Sequence, residues 1–147
     1  MGTISAGEGS SSHIHAGPSG LLSPIIWRVL SSLVLLAMGG IHLFLVLDGV
    51  GGVLGVLFVL NAVGGLLLAI SMLAAPARLL PWASVLGLLF IVGTLLALVL
   101  ALTVGLFGIT ETLSFELVPT TLVVESIGTI VLAVTTALAF RTRPGRR

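Results

Sequence analysis

Residues 82–107 read WASVLGLLFIVGTLLALVLALTVGLF, a run without a single charged side chain. A helix needs roughly 20 apolar residues to cross a hydrocarbon layer about 30 Å thick, so this run is long enough to span with some tilt or overhang. A strand reading fails on the pattern. Membrane barrel strands alternate apolar with polar residues over about ten positions, and no such alternation occurs here. Inside lipid each backbone N–H and C=O must find an internal partner, and a continuous apolar run supplies one only as a helix.

Three further runs of the same kind flank it, over 24–47, 52–73 and 119–140. Pro24 suits a helix start and Asp48-Gly49 a turn. Pro76 and Pro81 bracket Arg78 in a break that neither neighbouring helix continues through. Arg28 followed by VLSSLVLLAMGG imitates a secretory leader ending near Gly39. The apolar run, however, goes on through IHLFLVL and is long enough to span as an uncleaved helix. Residues 1–23 are rich in Gly and Ser, show no apolar period and read as a disordered tail. The expectation is an all-α membrane protein: a four-transmembrane-helix bundle over 24–140, with a disordered N-terminal tail and a basic tail over 141–147.

Composition agrees. Of 147 residues 57% are hydrophobic and 7% charged, against about 25% charged in soluble domains. Cysteine is absent, which removes disulfides, thiol nucleophiles and thiolate metal sites. All 6 basic residues are arginines: Arg28, Arg78, and the cluster Arg141, Arg143, Arg146 and Arg147. In a four-helix layout they fall on one side, which the positive-inside rule makes cytoplasmic. Both tails are then expected inside a bacterial cytoplasmic membrane, with the Asp48 turn and the loop bearing Glu111 and Glu116 outside. Trp27 and Trp82 land at the inner boundary, where indoles anchor. The short basic tail directly follows an apolar run, so it reads as a membrane-surface anchor and not as a nucleic-acid site.

Leucine gains nothing by leaving lipid for another helix, so the bundle must cohere through close packing and polar contacts. Small residues mark candidate contact lines: Ala97, Ala101 and Gly105 in the third helix, Gly51 and Gly55 opening the second, and Gly65 and Ala69 continuing it. Such lines serve equally within one bundle or between subunits. The expected partners are therefore the bilayer and, beyond it, other membrane subunits or a second copy.

Ionisable and polar residues within the spans carry the chemistry, because an unpaired acid near the bilayer centre costs about 3 kcal/mol. At 1.5 Å per residue, His42, Asn61 and Glu125 lie roughly 9, 13 and 9 Å below the outer boundary, so they can meet in one layer. Asp48 would sit at the rim above them and Thr103 would approach from the remaining side. Read functionally, His42 and Glu125 form an acid/base pair with coupled charge states. Such a pair can relay protons, hold a cation with Asn61 and Asp48, or hydrogen-bond a quinone-like ligand. Read structurally, the same residues clasp the helices in register. No local pattern names a cofactor. Only His42 lies in a helix, so one subunit cannot supply two axial histidines to haem, although a symmetric dimer could bring a second His42. His13 and His15 form an H-x-H pair in the tail, where two imidazoles can transiently hold a transition metal, but no third ligand accompanies them and no metal site is assigned. There is no lysine-bearing phosphate loop, no HExxH and no G-x-S-x-G, so no catalytic residue is assigned.

At GIHLFLVLDG (40–49), followed by GVLGVLFVLNAVGG (52–65), the chain resembles uncharacterised four-helix integral membrane proteins of actinobacteria. These carry a histidine late in the first helix, a Gly-x-Leu-Phe-x-Leu-Asn or -Gln stretch in the second and a glutamate early in the fourth. His42, Gly55, Leu57, Phe58, Leu60, Asn61 and Glu125 occupy those positions here. Where such proteins often have a Tyr-containing turn, this chain has Asp48-Gly49-Val50-Gly51 and no tyrosine. The resemblance implies the topology and the polar layer, and no known activity. The functional expectation is a non-enzymatic accessory or interaction subunit. Its alternative is a transport or redox component with an ion, proton or quinone site formed by His42, Asn61 and Glu125.

Overall fold

The computed structural model describes residues 24–106, 108, 110, 112–114 and 117–142. The tail with His13 and His15, the loop acids Glu111 and Glu116, and Arg143, Arg146 and Arg147 lie outside the described residues. Four helices make up the fold: α1 Pro24–Leu47, α2 Gly52–Ala74, α3 Leu80–Thr103 and α4 Val118–Arg141. No β-strand occurs among the described residues.

α1 keeps the expected bounds, and glycine chemistry explains its end. Gly49 adopts φ +107°. There the Val50 N–H reaches the Leu45 carbonyl at 3.0 Å and the Gly49 N–H reaches Val46 at 3.1 Å, the paired bonds that satisfy a helix's last carbonyls. α3 departs from expectation at both ends, starting before Trp82 and stopping short of Phe107. Pro81 falls in its first turn, where a missing N–H costs nothing. At the far end the N–H groups of Val104 and Gly105 both turn onto the Leu100 carbonyl, at 3.0 and 2.9 Å, and Gly105 takes φ +82°.

The helices alternate in direction around the bundle, as their facing residues show. A Cβ on Gly65 would meet the Leu35 carbonyl oxygen at 2.9 Å, and one on Gly39 would meet that of Ala62 at 3.2 Å. These close approaches of backbone to backbone seal α1 against α2. Gly87 receives Leu132, and Gly128 receives Ile91 and Val34, so α3, α4 and α1 interlock through glycine. The small-residue line of α3 turns out otherwise: Ala97 and Ala101 line a cavity, and Gly105 serves to end the helix.

Polar side chains are buried and large apolar ones exposed, the reverse of a water-soluble domain. Ser31, Ser84, Thr135 and Glu125 are almost fully enclosed, while leucines and valines cover the outside of every helix. Thr135 gives its proton to the Val131 carbonyl at 2.8 Å, so the Ser31 hydroxyl donates to Thr135, also at 2.8 Å. All four helices are long and apolar enough to cross a membrane. The architecture fits a multi-pass membrane protein.

Arg28, Arg78 and Arg141 gather at one end, together with Trp27 and Trp82. There the core is dense: Leu35, Met38, Ala69, Met72, Ile91 and Leu132 pack together. Arg28 has a specific task. Its Nε donates to the Met72 carbonyl at 2.8 Å and its Nη2 to those of Leu73 and Ala75 at 2.7 and 2.8 Å. A cation thus closes the C-terminus of α2, where carbonyls lack helical partners and the helix dipole is negative.

Candidate functional site: an intramembrane cavity

Away from the arginine end the helices separate around a cavity of about 730 Å³. α1 contributes His42, α2 Phe58 and Asn61, α3 Phe90 and Thr94, and α4 Glu125; the remaining wall is almost wholly aliphatic. The Phe90 ring lies on Gly64, where a Cβ would come within 2.9 Å of it, and divides the cavity from the packed core. Leu57, Leu89 and Gly93 also line the cavity yet are exposed, Leu89 by 64%. Its mouth therefore opens sideways between α2 and α3, the least closely packed of the neighbouring pairs.

Each polar group has a definite hydrogen-bonding state. The His42 ring donates from Nδ1 to the Met38 carbonyl at 2.9 Å. That bond, in a neutral ring, leaves Nε2 as an acceptor. Phe58 meets the imidazole edge to face, with centroids 4.9 Å apart and planes at 78°. Glu125 is fully buried, and neither carboxylate oxygen has a hydrogen-bond partner. The Thr94 hydroxyl flanks it, but its proton goes to the Ile91 carbonyl at 2.9 Å. Thr121 likewise donates to Leu117 at 2.8 Å. Asn61 holds its Oδ1 buried and unpartnered.

His42, Asn61 and Glu125 thus share one cavity, yet no hydrogen bond joins them to one another. Asp48 does not join them; it stands exposed in the turn after α1 and is absent from the cavity wall. Thr103 also fails to arrive. Nine residues beyond Thr94 at about 100° each, it is half a turn out of phase with the lining face and donates to the Val99 carbonyl at 2.8 Å. Thr94 takes its place. The signal for that exchange was available in the helical phase of Thr94 with Ala97, Leu98 and Ala101.

No three of the described His, Asp and Glu side chains gather as a metal site would require. Comparison with known protein families, with curated proteins and with solved structures finds no match to this chain.

Proposed function

We propose that this protein binds a lipophilic small molecule within the bilayer, as a transport or redox component whose polar anchor is His42, Asn61 and Glu125. The observation that carries the reading is the Glu125 carboxylate, fully enclosed and with both oxygens unpartnered beside an open cavity. A buried polar group without a partner is costly, and in hydrocarbon an acid is among the most costly. A clasp would have spent those oxygens on neighbouring helices. Here they are left to whatever enters. The cavity's volume falls within the roughly 300–1,000 Å³ typical of ligand sites, which are mostly apolar with a few convergent polar groups. The lateral mouth suits a molecule that arrives through lipid.

An accessory role as a bare interaction subunit has less support, because large apolar side chains make up most of the outward surface of the described helices, as lipid contact alone requires. The arginines at one end favour a cytoplasmic location for that end, and with it both tails, in a bacterial cytoplasmic membrane.

The test is to purify the full chain in mild detergent and compare co-extracted small molecules by mass spectrometry with those of Ala97→Phe, which fills the cavity. The wild-type protein is expected to retain a lipophile that the variant, equally well folded, has lost. Indistinguishable extracts would remove the basis of the reading.

A further inference from the structure

We infer that the cavity takes a lipophilic ammonium, an apolar body bearing a protonated amine, with Glu125 as its counter-charge and Asn61 Oδ1 and His42 Nε2 as further acceptors. The inference rests on the binding function proposed above and specifies its ligand.

The first ground is the sign of the unmet hydrogen bonds. Glu125 Oε1 and Oε2 and Asn61 Oδ1 are the buried unpartnered atoms of the cavity wall, and all are acceptors when the acid is ionised. The bond from His42 Nδ1 to Met38 adds Nε2 to the same set. The threonines that might have donated, Thr94 and Thr121, give their protons to backbone carbonyls instead. The Asn61 amide N–H groups are donors on the wall, but every buried atom there that lacks a partner asks for a donor. An ammonium brings three N–H groups, whereas a carbonyl ligand or an anion would leave the carboxylate as it stands.

The second ground is charge. No arginine lines the cavity. Arg28 is engaged with the carbonyls of α2, and Arg78 and Arg141 share its end of the bundle. Among the described residues Glu125 therefore has no cation of the protein to face. A ligand that carries the positive charge supplies one, and hydrogen bonds between ionised partners are roughly twice as strong as neutral ones. The third ground is size and lining. A bare metal ion would want many oxygens close around it, but about 730 Å³ of mainly aliphatic wall suits an apolar body. Phe58 and Phe90 add aromatic surface, which cations favour.

The experiment uses the full chain in nanodiscs of zwitterionic lipid, with empty nanodiscs as the baseline. Three probes share one hydrocarbon cage and differ only at the bridgehead: adamantanamine, adamantanol and adamantane carboxylate. Calorimetric titration at neutral pH should give the amine an affinity about tenfold or more above the alcohol, the margin expected of one charge-assisted hydrogen bond, and no binding of the carboxylate. Glu125→Gln should abolish the amine's margin over the alcohol, with both probes measured on the variant. Equal affinities for amine and alcohol would overturn the ammonium inference and leave the cavity's binding function standing. An amine preference that survives Glu125→Gln would do the same. Failure of all three probes to bind would overturn both. The ratio of amine to alcohol in the wild-type protein is decisive by itself should the variant not fold.

Discussion

Gly65 and Gly93 are both mid-helix glycines, and the structure uses them in opposite ways. At Gly65 the missing side chain lets α2 lie directly on α1, with the Leu35 carbonyl where a Cβ would be. At Gly93 nothing lies within 4 Å of that position; the missing side chain leaves space at the mouth of a cavity. The first belongs to the half of the bundle that Arg28 closes, the second to the half that holds Glu125. Membrane helices associate through contact, so the packed half carries most of the stability. The hollow half gives up contact to make room.

Putting the same side chain at both glycines tests that division most severely. Gly65→Leu should destabilise the protein by about 3 kcal/mol or prevent folding, since overpacking against backbone cannot be relieved by a rotamer change. Thermal unfolding in detergent reads it, and a variant as stable as wild type would mean that the two halves are not built differently. Next in size is Arg28→Gln, expected to cost about 1.5 kcal/mol by removing charge-assisted bonds to three carbonyls. The loss should appear as faster hydrogen exchange at the C-terminus of α2, and unchanged exchange there would show that the guanidinium is dispensable. Smallest is Gly93→Leu, which should leave stability within about 1 kcal/mol, because the added side chain meets open space and glycine is the poorer helix former. Loss of a co-extracted lipophile without loss of stability would mark the hollow half as the binding half; a large drop in melting temperature would deny it.

Much of the fold could be read from the chain because the constraint is simple. Length and apolarity set the four spans, and prolines and the Asp48-Gly49 turn set most of their limits. The end of α3 was harder: Val104, Leu106 and Phe107 are as apolar as what precedes them, and only the backbone angle of Gly105 stops the helix. For the site, depth along the helix axis was legible and rotation around it was not. Depth puts His42, Asn61 and Glu125 in one layer, but it does not fix the helical phase that sets Thr94, and not Thr103, on the lining face. The Arg28 contacts were hidden because they depend on which carbonyls another helix presents. The cavity itself was hidden for a different reason: an empty volume is produced by what four helices fail to fill, and no single segment encodes it. Gly128 stands outside any regular spacing of small residues, so nothing local marks it as the point where Ile91 and Val34 converge.

The grip of Arg28 on Met72, Leu73 and Ala75 bears on biogenesis. It requires nothing synthesised later than Ala75, so a nascent chain that holds only the first two helices can already close it. Polypeptides are built and begin to fold from the N-terminus, and this latch joins neighbours in the order of translation. The α1–α2 hairpin can therefore leave the ribosome's path as a finished pair, offering the later helices a fixed template to assemble against.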